Sequence, residues 1–317
     1  MVLQYRGSAA LPGALGTTPA TPGQAIPGTF AFKSVKAGAG AASKKVLDLP
    51  MPPPWHSSTI ILAAVVNSKL GDGKPHFKQV RQGSLPNCPI AGILSALGNT
   101  KDGQNYLDGL ITENIGATCR TTLGGDILAK LSSHDDADYK PQVKDLTSKR
   151  YFEVRIKNLK TEARQVHDTF YVKYTDGTDY DLVFMNSPAN VLWPSVIEKA
   201  CALHFGSYPA MADWRKNTAN DYWKLIVGSD PGGFAVEDAT DLGKISDAAR
   251  EAARTPTIAA SREKLPGSAP VHQWHAHAVL SGTDKTVELY DPMEAKTVTL
   301  STEDFRKFFQ TILFGKP

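Results

Sequence analysis

Gln82-Gly83-Ser84-Leu85-Pro86-Asn87-Cys88-Pro89-Ile90, followed by Ala91-Gly92-Ile93-Leu94-Ser95-Ala96-Leu97, is a turn-forming loop that runs into an apolar helix. Pro89 pre-sets the first helical turn and pushes the residue before it out of the α region, so Cys88 is expected at the N-cap. Ile90, Ile93, Leu94 and Leu97 recur at helical spacing and form a buried face. A thiol at a helix N-terminus feels the partial positive charge of unpaired N–H groups, which favours the thiolate and sharpens the nucleophile. Gln82 lies on the loop that leads to the helix, and its amide is placed to donate to an oxyanion beside the sulfur. Taken alone, the stretch reads more readily as a buried cysteine capping an ordinary core helix.

Two later stretches change that balance. Leu192-Trp193-Pro194-Ser195-Val196-Ile197-Glu198-Lys199-Ala200-Cys201-Ala202-Leu203-His204-Phe205-Gly206-Ser207-Tyr208 is a helix with proline in its first turn and glycine at its end. Trp274-His275-Ala276-His277-Ala278-Val279 is an alternating strand, followed at some distance by Asp291-Pro292-Met293. The three stretches, in this order, resemble the calpain-like, papain-fold cysteine peptidases. That family has Gln-Gly before its cysteine, a Trp-Pro…Glu-Lys-Ala-Tyr-Ala…Gly-Ser-Tyr helix, Gly-His-Ala-Tyr at its histidine and Asn-Pro-Trp thereafter. Asn87 stands here for an acidic residue, Pro89 and His277 for aromatics, Asp291 for Asn and Met293 for Trp. The matches span roughly residues 80 to 293, with looser similarity between them.

The resemblance implies an α+β papain-like fold, with a helical subdomain holding the nucleophile packed on an antiparallel β subdomain carrying His and Asp. It implies a cysteine endopeptidase acting on protein substrates through a Cys88-His275-Asp291 triad and a thioester acyl-enzyme, with Gln82 in the oxyanion hole. No cofactor is needed for that chemistry. Calcium enters by resemblance alone: no EF-hand pattern is present, and calcium dependence is not expected. Cys-His-Asp in this order also occurs in papain-fold glutamine deamidases and transglutaminases, effectors or toxins among them. A calpain-like binding module without activity is the third reading, favoured by Pro89 and Met293.

The residues themselves offer a geometric argument for the triad. If Gly282-Thr283-Asp284 is the loop of a hairpin that closes on Ser281 and Lys285, counting back along both strands sets His275 opposite Asp291. Opposed side chains share a face with Cβ atoms about 5 Å apart, so the carboxylate is placed to accept an imidazole N–H. A two-residue shift keeps the face and a one-residue shift breaks it. His277 shares the face, so parity does not choose between the histidines, whereas the family alignment selects His275. His272 precedes the strand and is the weaker candidate.

Composition sets the outer limits. With 41% apolar residues and a net charge of +3 over 317 residues, the chain can bury a sizeable core. Its Lys and Arg residues are scattered, which argues against nucleic acid as a partner. The apolar run at 60–66 is too short to span a membrane. No secretory signal pattern opens the sequence, so the expected location is cytoplasmic, or exported as an effector by another route. Cys88, Cys119 and Cys201 show no paired spacing and read as free thiols, with Cys119 in a loop and Cys201 packed inside a helix.

Residues 1–50 are rich in Ala, Gly, Pro and Thr and read as a flexible leader, either a linker or a segment engaging a delivery or secretion partner. A catalytic domain is expected at 51–317, mainly helical over 51–150 and β-rich over 151–317. Within it, helices are expected at 104–111, 127–131, 243–254 and 302–313. An acidic loop is expected at 132–149, and a hairpin turn at Asp176-Gly177.

Overall fold

In the computed structural model, residues 34–36, 61–66, 68–121, 146–157, 164–174, 180–213 and 215–317 are described. The expected helix at 127–131, most of the acidic loop and the Asp176-Gly177 turn lie outside them. So does the expected leader, save for a strand, β1 (Ser34–Lys36), that runs parallel to β3 (Ile111–Thr121).

Helix α1 (Cys88–Asn99) begins one residue earlier than the sequence indicates. Asn87, not Cys88, is the N-cap, because its carbonyl already accepts from the N–H groups of Ile90 (2.9 Å) and Ala91 (3.4 Å). Residues 90–98 are all buried, so this is a helix enclosed on every side rather than one with a single apolar face. Thr100 closes it and caps α2 (Lys101–Leu110), its hydroxyl accepting from Gly103 N–H at 3.1 Å.

The strands form three sheets. β1, β3, β4 (Leu146–Val154) and β5 (Arg164–His167) make one, and β2 (Ile61–Val65), β6 (Thr169–Tyr174) and β7 (Tyr180–Leu182) make another. The third contains β8 (Gly232–Ala235), β9 (Thr257–Ser261), β10 (Ala276–Gly282), β11 (Thr286–Asp291), β12 (Lys296–Ser301) and β13 (Phe309–Phe314), in the order β12-β11-β10-β9-β13-β8, antiparallel throughout. Helices α3 (Trp193–Phe205), α4 (Tyr208–Met211) and α5 (Ala219–Val227) precede that sheet. Helix α6 (Leu242–Glu251) and the short α7 (Thr302–Phe308) lie within its connections. The architecture is α+β, and no described helix is long and apolar enough to cross a membrane.

Alternation along the third sheet sends neighbouring residues into two cores. Ile258, Ala278, Leu280 and Tyr290 join a core with α1, α2, α3 and α5, whereas Ala259, Val279, Val287 and Leu289 face α6 and α7. The sheet is therefore apolar on both faces, as a sheet covered on both sides must be. The division expected at residue 150 is not where the cores part, because the helices at 193–227 belong with α1. Among the described residues of the earlier part, β2 and the long β3 stand beside the helices, and Cys119 lies in that strand rather than in a loop.

The expected C-terminal helix at 302–313 stops at Phe308. Phe309–Phe314 forms β13, held between β9 and β8. The helical spacing of Phe305, Phe309 and Ile312 is real, but two strands with unfilled hydrogen-bonding edges outweigh a local period. Ser301 caps α7, accepting from Asp304 N–H at 3.0 Å.

One packing relation positions the site. Gly92 lies so close to β10 that a Cβ there would stand 3.4 Å from the Ala276 Cβ, and Asn99 Nδ2 donates to the Leu280 carbonyl at 2.8 Å. Helix and strand thus run in the same direction, and Cys88 arrives at the end of β10 where Trp274 and His275 lie. The loop before Cys88 is held as tightly: a Cβ on Gly83 would fall 2.1 Å from the Phe184 carbonyl oxygen. Gly83→Ala is expected to lower the unfolding free energy by about 3 kcal/mol, the upper range for overpacking against backbone. Urea denaturation measures it, and an unchanged midpoint contradicts the close approach.

Candidate active site

The structure brings Cys88, His275 and Asp291 together. Cys88 is partly exposed, with Sγ 4.0 Å from the Trp274 carbonyl and within reach of the His275 ring. His275 Nε2 lies 3.0 Å from Asp291 Oδ1, so Nδ1 is the nitrogen left for the sulfur. Both His275 and Asp291 are buried, at 3% and 0% exposure. The carboxylate fixes the ring's orientation and supports its charged form.

The register that achieves this differs from the expected one by two residues. β10 and β11 pair Ala278 with Tyr290 and Val279 with Leu289, with a bulge before Ser281 and Glu288. Continued outward, this register sets His277, not His275, opposite Asp291. A shift of two preserves the face, so His275 meets Asp291 diagonally. The loop is also shorter than expected, since Thr283 N–H donates to the Thr286 carbonyl at 2.8 Å and leaves Asp284 and Lys285 at the tip.

The backbone around His275 is braced by Ser261, the last residue of β9. Ser261 Oγ accepts from His275 N–H at 2.9 Å and donates to the His272 carbonyl at 2.6 Å. Ser261 N–H donates to the His275 carbonyl at 2.9 Å. Trp274, just before, has φ of +52°, a strained conformation for a bulky residue, and is 54% exposed beside Cys88.

Behind Cys88, Asn87 is wholly buried and its Nδ2 donates to Glu198 Oε1 at 2.6 Å, while Glu198 Oε2 accepts from Met185 N–H at 2.9 Å. Burial outweighs both bonds and lifts Glu198 to about 8. The sequence marked Glu198 as part of a motif without a role; here it ties α3 to the residue before Cys88. Gln82 is buried near the site. Its Nε2 donates to the Leu85 carbonyl at 2.5 Å, leaving a second amide N–H, and its backbone N–H donates to the Pro292 carbonyl at 2.8 Å. Cys201 is buried as expected, and burial pushes its thiol up.

The electrostatics separate the histidines. Burial opposes a charge on His275, yet Asp291 and Cys88 raise it to about 9. Burial, then the His275 charge, lower His277 to about 3. For Asp291, burial works against ionisation but the His275 bond and charge hold it well below the usual carboxylate range. His272 is 44% exposed at the rim, with Nε2 3.1 Å from Glu294 Oε1. A neutral His277 beside a cationic His275 is the arrangement in which only one ring supports proton transfer.

No protein-family model and no curated protein matches the chain.

Because the folded His275 value exceeds the unfolded one, its charge adds stability that is fully present below about pH 6.5. That contribution is lost as pH rises through about 9. NMR titration of the ring is expected to place His275 near 9, and Asp291→Asn is expected to bring it to the usual histidine range or lower, since burial is then less opposed. An unmoved titration in Asp291→Asn contradicts the pairing.

Proposed function

We propose that the chain is a cysteine endopeptidase of the calpain-like, papain-fold type, hydrolysing protein substrates through Cys88, His275 and Asp291. The observation that carries this reading is the 3.0 Å bond from His275 Nε2 to Asp291 Oδ1, which leaves Nδ1 for Cys88, whose Sγ lies 4.0 Å from the carbonyl of the preceding Trp274. Cys88 attacks a substrate carbonyl as thiolate while His275 holds the thiol's proton on Nδ1. The oxyanion is met by the Cys88 backbone N–H in the first turn of α1 and by the Gln82 amide N–H not engaged by Leu85. His275 then gives its proton to the leaving amine, which departs as the thioester forms. Water, activated by the same ring, resolves the thioester to acid and restores the thiol. Asp291 keeps the ring turned throughout, and Trp274 provides an apolar contact for the substrate beside the reacting carbonyl.

The same residues support acyl transfer from a glutamine side chain, where ammonia leaves and water or an amine resolves the thioester. The peptidase reading is preferred because the family resemblance extends over three separated stretches that meet at one place in the fold. Against an inactive binding module stands the buried, bonded His275-Asp291 pair, whose desolvation costs stability without a purpose in a passive surface.

Mass spectrometry of cell lysate treated with wild type or Cys88→Ala tests the reading. New peptide termini generated only by wild type are expected. Mass gains of about one unit on glutamine without chain cleavage replace the peptidase by a deamidase, and identical products from both proteins overturn thiol chemistry altogether.

A further inference from the structure

His277 is fully enclosed, yet neither ring nitrogen has a hydrogen-bond partner, and Oδ2 of Asp291 is likewise unpaired. The His275 carbonyl lies near the His277 ring without forming a well-shaped bond. His277 Nε2 faces Asp291 Oδ2 at 3.8 Å, beyond hydrogen-bond range. Buried polar groups are almost always satisfied, so two unpaired atoms pointing at each other call for something between them. His275 Nε2 is 3.0 Å from Oδ1 of the same carboxylate, and the ligand atoms of His275, His277 and Asp291 all lie within 4.8 Å of one another. Two ligands bound at about 2.0–2.2 Å from one ion stand about 3–4 Å apart, which fits the 3.0 and 3.8 Å separations.

We propose that His275, His277 and Asp291 form a binding site for a divalent transition metal of the zinc class. Two imidazoles and one carboxylate suit such an ion, whereas calcium and magnesium require oxygen ligands. His272, whose Nε2 lies 3.7 Å from Asp291 Oδ2, stands at the exposed edge of the cluster. Cys88 approaches the other nitrogen of His275 and is not a ligand.

The consequence for chemistry rests on the hydrolase reading above. On binding, the ion forms a bond to His275 Nε2 and the proton of that nitrogen leaves to solvent. Nδ1 keeps the proton taken from the Cys88 thiol, but passing it to a leaving amine would then leave a metal-bound imidazolate instead of a neutral ring, so the proton is held back. The same three residues thus serve either the thiol or the metal, and the metal holds the hydrolase off.

Titration of the full chain with Co²⁺, followed by visible absorption, tests the site. One Co²⁺ per chain is expected, with ligand-field bands and no sulfur-to-cobalt charge-transfer band, unchanged in Cys88→Ser. His277→Gln, checked for folding by circular dichroism, is expected to weaken binding more than about 100-fold, beyond what losing a mere partner of a ligand costs. His272→Ala, at the surface where folding is not at stake, is expected to weaken it about tenfold. Absence of stoichiometric binding overturns the proposal, as does a charge-transfer band that Cys88→Ser removes. Cobalt binding in a chain whose Cys88 proves inert upholds the metal site and removes only its inhibitory meaning; a reactive Cys88 with no cobalt bound refutes the site and leaves the hydrolase standing.

Discussion

A carboxylate without access to water needs charge or donors at close range, and Asp291 has both. Its Oδ1 receives His275 Nε2, Met293 N–H at 2.8 Å and Glu294 N–H at 3.4 Å. The residues on either side are used as well. Tyr290 donates its hydroxyl to the Val80 carbonyl at 2.8 Å, and the Pro292 carbonyl receives Gln82 N–H. The end of β11 is therefore fixed to the segment that leads into α1. Removing the acid would leave the His275 ring without an orienting bond, and shifting β11 by one residue would turn the acid to the wrong face. Sheet register, loop anchorage and ring orientation are one constraint seen from three directions.

Two further devices hold the Cys88 side of the site. Asn87 hangs from Glu198, so the start of α1 is positioned by α3 rather than by its own cap, which makes no side-chain hydrogen bond to the helix. The other device is Trp274, strained at positive φ and held by its N–H bond to the Arg262 carbonyl at 3.0 Å. A backbone held in this way turns sharply before β10, where the Trp274 carbonyl faces Cys88 and the His275 ring turns in to Asp291.

Much of this was legible in the sequence, for identifiable reasons. Pro89 and the apolar run after it place α1 to within one residue, and Pro194 and Gly206 bracket α3 as Trp193–Phe205. The hairpin could be seen from alternation, and parity alone preserved the His275-Asp291 pairing despite a two-residue error in register. What alternation does not encode is the bulge near Leu280, which sets the true register. β8 and β9 were missed because Gly232-Gly233 reads as a turn and Thr257–Ser261 carries little alternation in a strand buried on both faces. The Phe309–Phe314 strand was mistaken for helix because its apolar spacing satisfies the helical period, and only its neighbours in space decide otherwise. Ser261 and the Asn87-Glu198 pair left no local signal, since each acts on a residue distant in the chain.

The account stands on one proton being shared between the Cys88 sulfur and the His275 ring. Alkylation by iodoacetamide, resolved by peptide mass for Cys88, Cys119 and Cys201 across pH, measures that directly. The account predicts fast, selective modification of Cys88 that slows by at least about 100-fold in His275→Ala, the usual loss when a positioned base is removed. Equal modification of the three thiols, or a Cys88 rate indifferent to His275→Ala, would contradict it.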